Sequence, residues 1–172
     1  MENLGIIYWP KDGNVENVAN KIYDRFDKSK ANIYNILSFE PLDLVNFDCL
    51  IIGSSTVGSE TWQEAGDDNK WNLFFAALDK INLNGKAVAL FGLGDHILYP
   101  NNFVDGMAFI KKEFEKRGAK IIGKWPIEGY DFTDSAAVKE DYFCGLALDE
   151  DQQYELTDER IEQWLAQLET EL

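Results

Sequence analysis

The run Cys49-Leu50-Ile51-Ile52 has no polar residue on either of its alternating faces. Such a strand is buried on both sides, as strands of parallel sheets are, and it restricts the chain to folds in which a sheet is covered twice. Other short apolar stretches read as partners for it: Ile6 to Tyr8, Ala31 to Leu37, Ala87 to Phe91, and Ile121 with Ile122. Between them the apolar spacing becomes helical. One helix face is marked by Val15, Val18, Ala19, Ile22, Tyr23 and Phe26, and a second by Trp71, Phe74, Phe75 and Leu78. Phe103, Met107, Ile110 and Phe114 mark a third. Ile161, Trp164, Leu165 and Leu168 mark the last, with Thr157 expected to cap it and Asp158 and Glu159 set against its dipole. Pro126 to Asp141 is polar and aromatic without a period, and Tyr142 to Leu148 reads as one more strand. Strands alternating with helices over residues 1–172 predict a single α/β domain, its parallel sheet covered on both faces.

Ligands of such sheets bind beyond the carboxyl ends of the strands, which singles out the loops Trp9–Val15, Ser54–Lys70 and Gly92–Asn102. In the first, the unit Gly5 to Glu16 reads as strand, tight turn and helix, with Gly13 allowing the turn. Backbone N–H groups and the positive end of a helix dipole converge there, and an anion, usually a phosphate, is the natural occupant. Asp12 is also a good helix N-cap, able to accept from Asn14 or Val15. In the third loop, Gly92-Leu93-Gly94 is a weak dinucleotide signal, because Ile97 stands where a third glycine belongs. His96 is the only histidine, which excludes a His-based triad or a multi-histidine metal site; it reads as an exposed loop residue. Cys49 and Cys144 read as buried core residues, and the acidic runs Asp67–Asp68 and Asp149–Asp151 as solvated faces.

With 16 Lys and Arg against 31 Asp and Glu, the net charge is −15. That balance argues against nucleic-acid partners and favours basic proteins through long-range steering. No basic–apolar leader opens the sequence, and no apolar run approaches the roughly 20 residues of a membrane span, so no membrane partner and a cytoplasmic location are expected.

Several stretches together resemble the flavodoxins, specifically their long-chain group: Lys86–Asp95, Tyr99–Asp105, Gly123–Asp131 and Phe143–Leu168. Gly145 to Asp151, followed by Leu156 to Arg160, is similar to the C-terminal part of that family, and Trp125–Tyr142 to its long-chain insertion. The resemblance spans nearly the whole chain. It implies a flavodoxin-like three-layer sandwich with a five-stranded parallel sheet in the order 2-1-3-4-5. It also implies non-covalently bound FMN and low-potential one-electron transfer between redox proteins rather than enzymatic turnover. The acidic surface would dock a basic reductase and a basic acceptor, with the carrier itself a monomer.

The resemblance also assigns roles to residues. Asp95 and Tyr99 would flank the flavin ring, within a loop that includes Gly92, Leu93, Gly94, Asn102 and Phe103. Ser54, Ser55 and Thr56 precede Val57, where the family often has tryptophan. Gly58 matches a glycine whose peptide bonds the flavin N5, and Glu60 is placed to accept from the ring N3–H. Trp62 is either the missing ring cover or an anchor for an enlarged loop. The phosphate loop departs most. Where the family has Ser/Thr-x-Thr-Gly-x-Thr, this chain has Pro10, Lys11, Asp12, Gly13, Asn14 and Val15, and all three hydroxyls are gone. Either Lys11 supplies charge with Asp12 turned outward, or Asp12 itself fills the site. A flavin-free interaction module and an FMN-dependent quinone reductase on the same scaffold are the alternatives left open.

Overall fold

Parallel pairing joins β1 (Leu4–Tyr8), β2 (Ala31–Asn35), β3 (Cys49–Ser55), β4 (Ala87–Leu93) and β5 (Lys120–Ile122) in the order β2-β1-β3-β4-β5. The structure is a computed structural model that describes residues 3–55, 70–79 and 81–172. Helices α1 (Asn14–Tyr23), α2 (Lys70–Ala77), α3 (Gly106–Lys116) and α4 (Thr157–Glu171) cover the sheet on its two faces. Arg25, just beyond α1, reaches Asp158 of α4 at 2.9 Å, while Phe75 of α2 meets Phe109 and Phe114 of α3 edge to face. The doubly apolar run reads out as anticipated: Cys49, Leu50, Ile51 and Ile52 are all buried. Each such aliphatic side chain stabilises the fold by about 1.5–3 kcal/mol.

The place beside β4 is shared by two strands. Ala87 to Ala89 pair with Lys120 to Ile122, and Phe91 to Leu93 pair with β9 (Leu146–Leu148), also in parallel. Between the two, the chain leaves the sheet and forms a small antiparallel sheet of β6 (Trp125–Pro126), β7 (Val138–Lys139) and β8 (Tyr142–Phe143), ordered β6-β8-β7. Tyr142 to Leu148 is therefore two strands in two sheets, not one. The break lies at Gly145, where a Cβ would be driven into the Leu90 carbonyl and sit 2.8 Å from the Leu90 Cβ.

Smaller departures have local causes. β2 stops at Asn35, whose side-chain oxygen accepts from Leu37 N–H and turns the chain into a short 3₁₀ segment, Ile36–Ser38. β3 runs three residues past Ile52 and β4 two past Phe91, carrying their loops further beyond the sheet. Phe103 lies before α3, which begins at Gly106. Thr157 is the first residue of α4, not its cap, and its hydroxyl donates to the Glu150 carboxylate.

Candidate functional site

β1 delivers the chain to the first loop at Tyr8, followed by a cis Trp9–Pro10 peptide. The left-handed residue of this turn is Asp12, at φ +60°, and not Gly13, whose extended backbone any residue adopts. Asp12 is not the cap of α1. Gly13 holds the N-cap position and, among the described residues, no side chain caps the helix or satisfies its first-turn N–H groups in that way. The Asp12 carboxylate is 77% exposed and faces Lys11 Nζ at 3.4 Å. Asp12 is therefore turned outward and paired with Lys11, and its carboxylate does not fill the loop.

What fixes the loop is Glu16. Its carboxylate accepts from Asp12 N–H at 2.7 Å and from the Tyr8 hydroxyl at 2.5 Å. The Tyr8 hydroxyl and the Asp12 N–H hold the Glu16 carboxyl below its usual range. Burial, reinforced by Glu16, pushes the Tyr8 phenol up to about 12. The spacing of one helical turn between Asp12 and Glu16 is the sequence signal that could have revealed this brace.

The rim loop after β4 is wound around Asp95. One carboxylate oxygen accepts from Ile97 N–H at 2.9 Å and Leu98 N–H at 2.7 Å; the other accepts from the Gln152 amide at 2.9 Å. Burial works against the charge on Asp95, yet those donors outweigh it and lower its pKa. Fixed this way, the loop presents Leu98 and Tyr99 to solvent at 69% and 66% exposure. Asn102 donates to Asp105 at 3.1 Å. Phe103 is buried beneath the loop, its ring packed on Tyr130, Phe132 and Phe143. The insertion braces the rim from outside: Thr133 and Asp134 N–H both donate to the Pro100 carbonyl, and the Ser135 hydroxyl donates to that of Phe103. These three residues carry no motif that would mark them in the sequence.

His96 is not exposed. It is buried, with Nδ1 2.5 Å from Asp149 Oδ2 and its backbone N–H 2.8 Å from the same oxygen. Asp149 is likewise buried and so not part of a solvated run, whereas Glu150 and Asp151 face the cleft.

A cleft of about 570 Å³ joins the two loops at the carboxyl edge of the sheet. Pro10, Asn14 and Val15 line it at the helix end, Ser55 at the end of β3, and Leu93, Gly94, Asp95, Tyr99, Asn102 and Phe103 on the rim side. Leu98, Pro100 and Asn101 join them without having been anticipated. Lys11, Asp12, Gly13, Ser54 and Gly92 adjoin the cleft without lining it. Gly92 instead makes room for α3, since a Cβ there would lie 2.5 Å from Met107 Cγ. Thr56, Val57, Gly58, Glu60 and Trp62 lie outside the described residues. The cleft suits a flat ligand with an anionic tail: uncapped helix N–H groups at one end, apolar and aromatic surface at the other. Both cysteine thiols are pushed up to about 11 by burial, so neither is an activated nucleophile. Among the described residues, no cluster of three or more metal-ligating side chains occurs, and no helix is long and apolar enough to cross a membrane.

Residues 6–164 match the family model described as Flavodoxin. The flavodoxin of Nostoc sp. (strain PCC 7120) is 39% identical over 170 residues, covering 99% of this chain and 97% of its own. Flavodoxin 1 of Salmonella typhimurium is 40% identical over 173 residues, covering 100% of this chain and 96% of its own. Among solved structures, Fusobacterium nucleatum flavodoxin bound to flavin mononucleotide superposes with a TM-score of 0.88 at 26% identity, covering 100% of this chain and 99% of that one.

Proposed function

The chain belongs to the flavodoxin family, and we propose that it is a low-potential one-electron carrier whose FMN lies in the cleft between α1 and the Tyr99 loop. One observation carries this reading: a single cleft connects an uncapped helix N-terminus to an exposed tyrosine at the carboxyl edge of a parallel sheet. FMN, when bound, supplies reversible one-electron chemistry; the protein supplies binding, orientation and electrostatics. The N–H groups of Asn14 and Val15 would hold the phosphate, with Lys11 adding charge. Leu98 and Tyr99 would cover the ring and exclude water. The Asp95 anion opposes accumulation of negative charge nearby and so lowers the potential.

Carriers of this family pass electrons between redox proteins. For this chain the partners would be a basic reductase and a basic acceptor, drawn to the −15 charge and to Glu150 and Asp151 at the cleft mouth. Electron-transfer rates should then fall as salt screens the approach. A monomer of one domain, acting in the cytoplasm without nucleic acid or membrane, completes the reading, and two free, buried cysteines accord with a reducing compartment.

Titration of the apo-protein with FMN and with riboflavin, followed by stepwise reduction, tests it. Tight FMN binding and two separated one-electron steps are expected. A folded protein that binds neither flavin would refute it. Replacing Pro10, Asp12 and Val15 by threonine should tighten FMN but not riboflavin; equal affinities before and after would mean that the lost hydroxyls are immaterial here.

A further inference from the structure

The rim loop is closed by a reciprocal latch with the turn that follows β9. Asp149 accepts four hydrogen bonds: the His96 backbone N–H and Nδ1 on one oxygen, Asp151 N–H at 3.0 Å and Gln152 N–H at 2.8 Å on the other. In the opposite direction, Gln152 sends its side-chain amide back to Asp95, the residue that winds the rim loop. Each turn thus contributes a buried carboxylate to the other turn's donors. Three backbone N–H groups already donate to Asp149, which leaves Nδ1–H of His96 as the tautomer that completes its hydrogen bonding. The ring is 4% exposed and meets Phe103 at 5.7 Å and Tyr130 at 6.0 Å, both edge to face. The ionisable groups around it are Asp95 on its own loop, Asp149 after β9, Tyr130 of the insertion, and Arg160 of α4, which stacks on the Tyr130 ring.

The latch sits where it matters. Two and three residues beyond His96, Leu98 and Tyr99 are held out toward solvent over the cleft, an arrangement that hydrophobicity opposes and that a loose loop would abandon by folding them inward. We propose that His96 is a positioning residue: acting through Asp149, it holds the rim loop ready for a flat aromatic ligand before the ligand arrives. This rests on the flavin reading of the cleft. Its consequence is ring-side: removing the latch makes binding bear the cost of ordering the loop, whatever the ligand's tail. His96→Ala should weaken FMN and riboflavin by the same factor, about tenfold or more. His96→Asn, whose amide can donate from nearly the Nδ1 position, should restore both to within about threefold of the parent.

The experiment combines those titrations with amide hydrogen exchange of the apo-protein. In His96→Ala, exchange at Ile97, Leu98 and Tyr99 should accelerate while that of β1 and β3 is unchanged, and His96→Asn should reverse it. The proposal is overturned by unchanged flavin affinities, by acceleration spread equally over the core strands, or by a failure of asparagine to rescue. Should the parent bind neither flavin, the functional reading falls; the rim-loop exchange then still decides whether His96 holds the loop.

Discussion

Replacing Tyr99 with alanine separates ligand binding from folding more cleanly than any other change in the cleft. The ring is 66% exposed, so the folded apo-protein has little to lose, and its stability should change by less than about 0.5 kcal/mol. Binding is different. A tyrosine side chain has roughly 200 Å² to bury, of which about 130 Å² remains open here. Covering one face of the ring removes about half of that from water, worth roughly 1.5 kcal/mol at 25 cal/mol per Å². Stacking geometry adds about 0.5–1.5 kcal/mol. The sum, about 2–3 kcal/mol, is a loss of roughly 30- to 150-fold in affinity. Flavin fluorescence titration gives the dissociation constant, and urea unfolding of the apo-protein gives the stability. FMN and riboflavin should lose the same factor, and Tyr99→Phe should lose almost none. A loss below about threefold, or an equal loss of apo-protein stability, would show that Tyr99 does not cover the ring.

Three further outcomes follow from the packing and the titrating groups. Gly145→Ala should destabilise the fold by about 2–3 kcal/mol in chemical denaturation, because its methyl group meets the Leu90 carbonyl, which is backbone and cannot step aside. Burial raises the Tyr130 phenol to about 12, while its hydroxyl donates to Ala147 O and accepts from Trp125 Nε1. The stability this confers is complete below the unfolded pKa near 10 and is lost as pH rises through 12, so Tyr130→Phe should flatten that stretch of the alkaline unfolding curve and cost about 1–2 kcal/mol at pH 7. For Asp95 the sign is reversed: its pKa is lowered, so its contribution is present above the unfolded value near 4 and disappears as pH falls through the folded one. Asp95→Asn should flatten the acid limb of the stability curve, and spectroelectrochemistry of the FMN complex should show a higher potential.

The sheet was legible because double burial leaves a local signature. Cys49 to Ile52 and Ala87 to Phe91 declare themselves by composition alone, and the helix faces by their period. What the sequence hid depends on distant partners. Nothing within Tyr142 to Leu148 marks the change of sheet; the approach of Leu90, more than fifty residues earlier, forbids a side chain at position 145. His96 looks like an ordinary polar loop residue until Asp149 is brought beside it by the parallel pairing of β4 with β9. The anticipated part of the cleft lining, such as Asn14, Ser55, Asp95 and Tyr99, came from the general rule for parallel sheets together with the family likeness, whereas Glu150 and Asp151 did not. Of the cleft's braces, Gln152 and Ser135 act through contacts that no motif encodes, and Glu16 left only its one-turn spacing from Asp12 as a sign.

In the phosphate loop, such a contact narrows alternatives that the sequence leaves open. Read as a string, Pro-Lys-Asp-Gly-Asn-Val loses three hydroxyls and gains a carboxylate, which leaves open whether Asp12 turns outward or fills the site. In three dimensions the left-handed turn at Asp12 sends that carboxylate into solvent, and Glu16 rather than Asp12 engages the loop backbone. Among the described residues no side chain caps the donors of α1, while the loop lacks the three hydroxyls, the N–H that Pro10 does not have, and the Asp12 N–H that Glu16 takes. Each hydrogen bond to a charged phosphate is worth about 1.5–3 kcal/mol, so the loop should discriminate FMN from riboflavin less strongly than a hydroxyl-bearing one. A larger share of the affinity then falls to the ring side. That shift gives Tyr99, and the latch that holds it out, more weight here than in a loop with its hydroxyls intact.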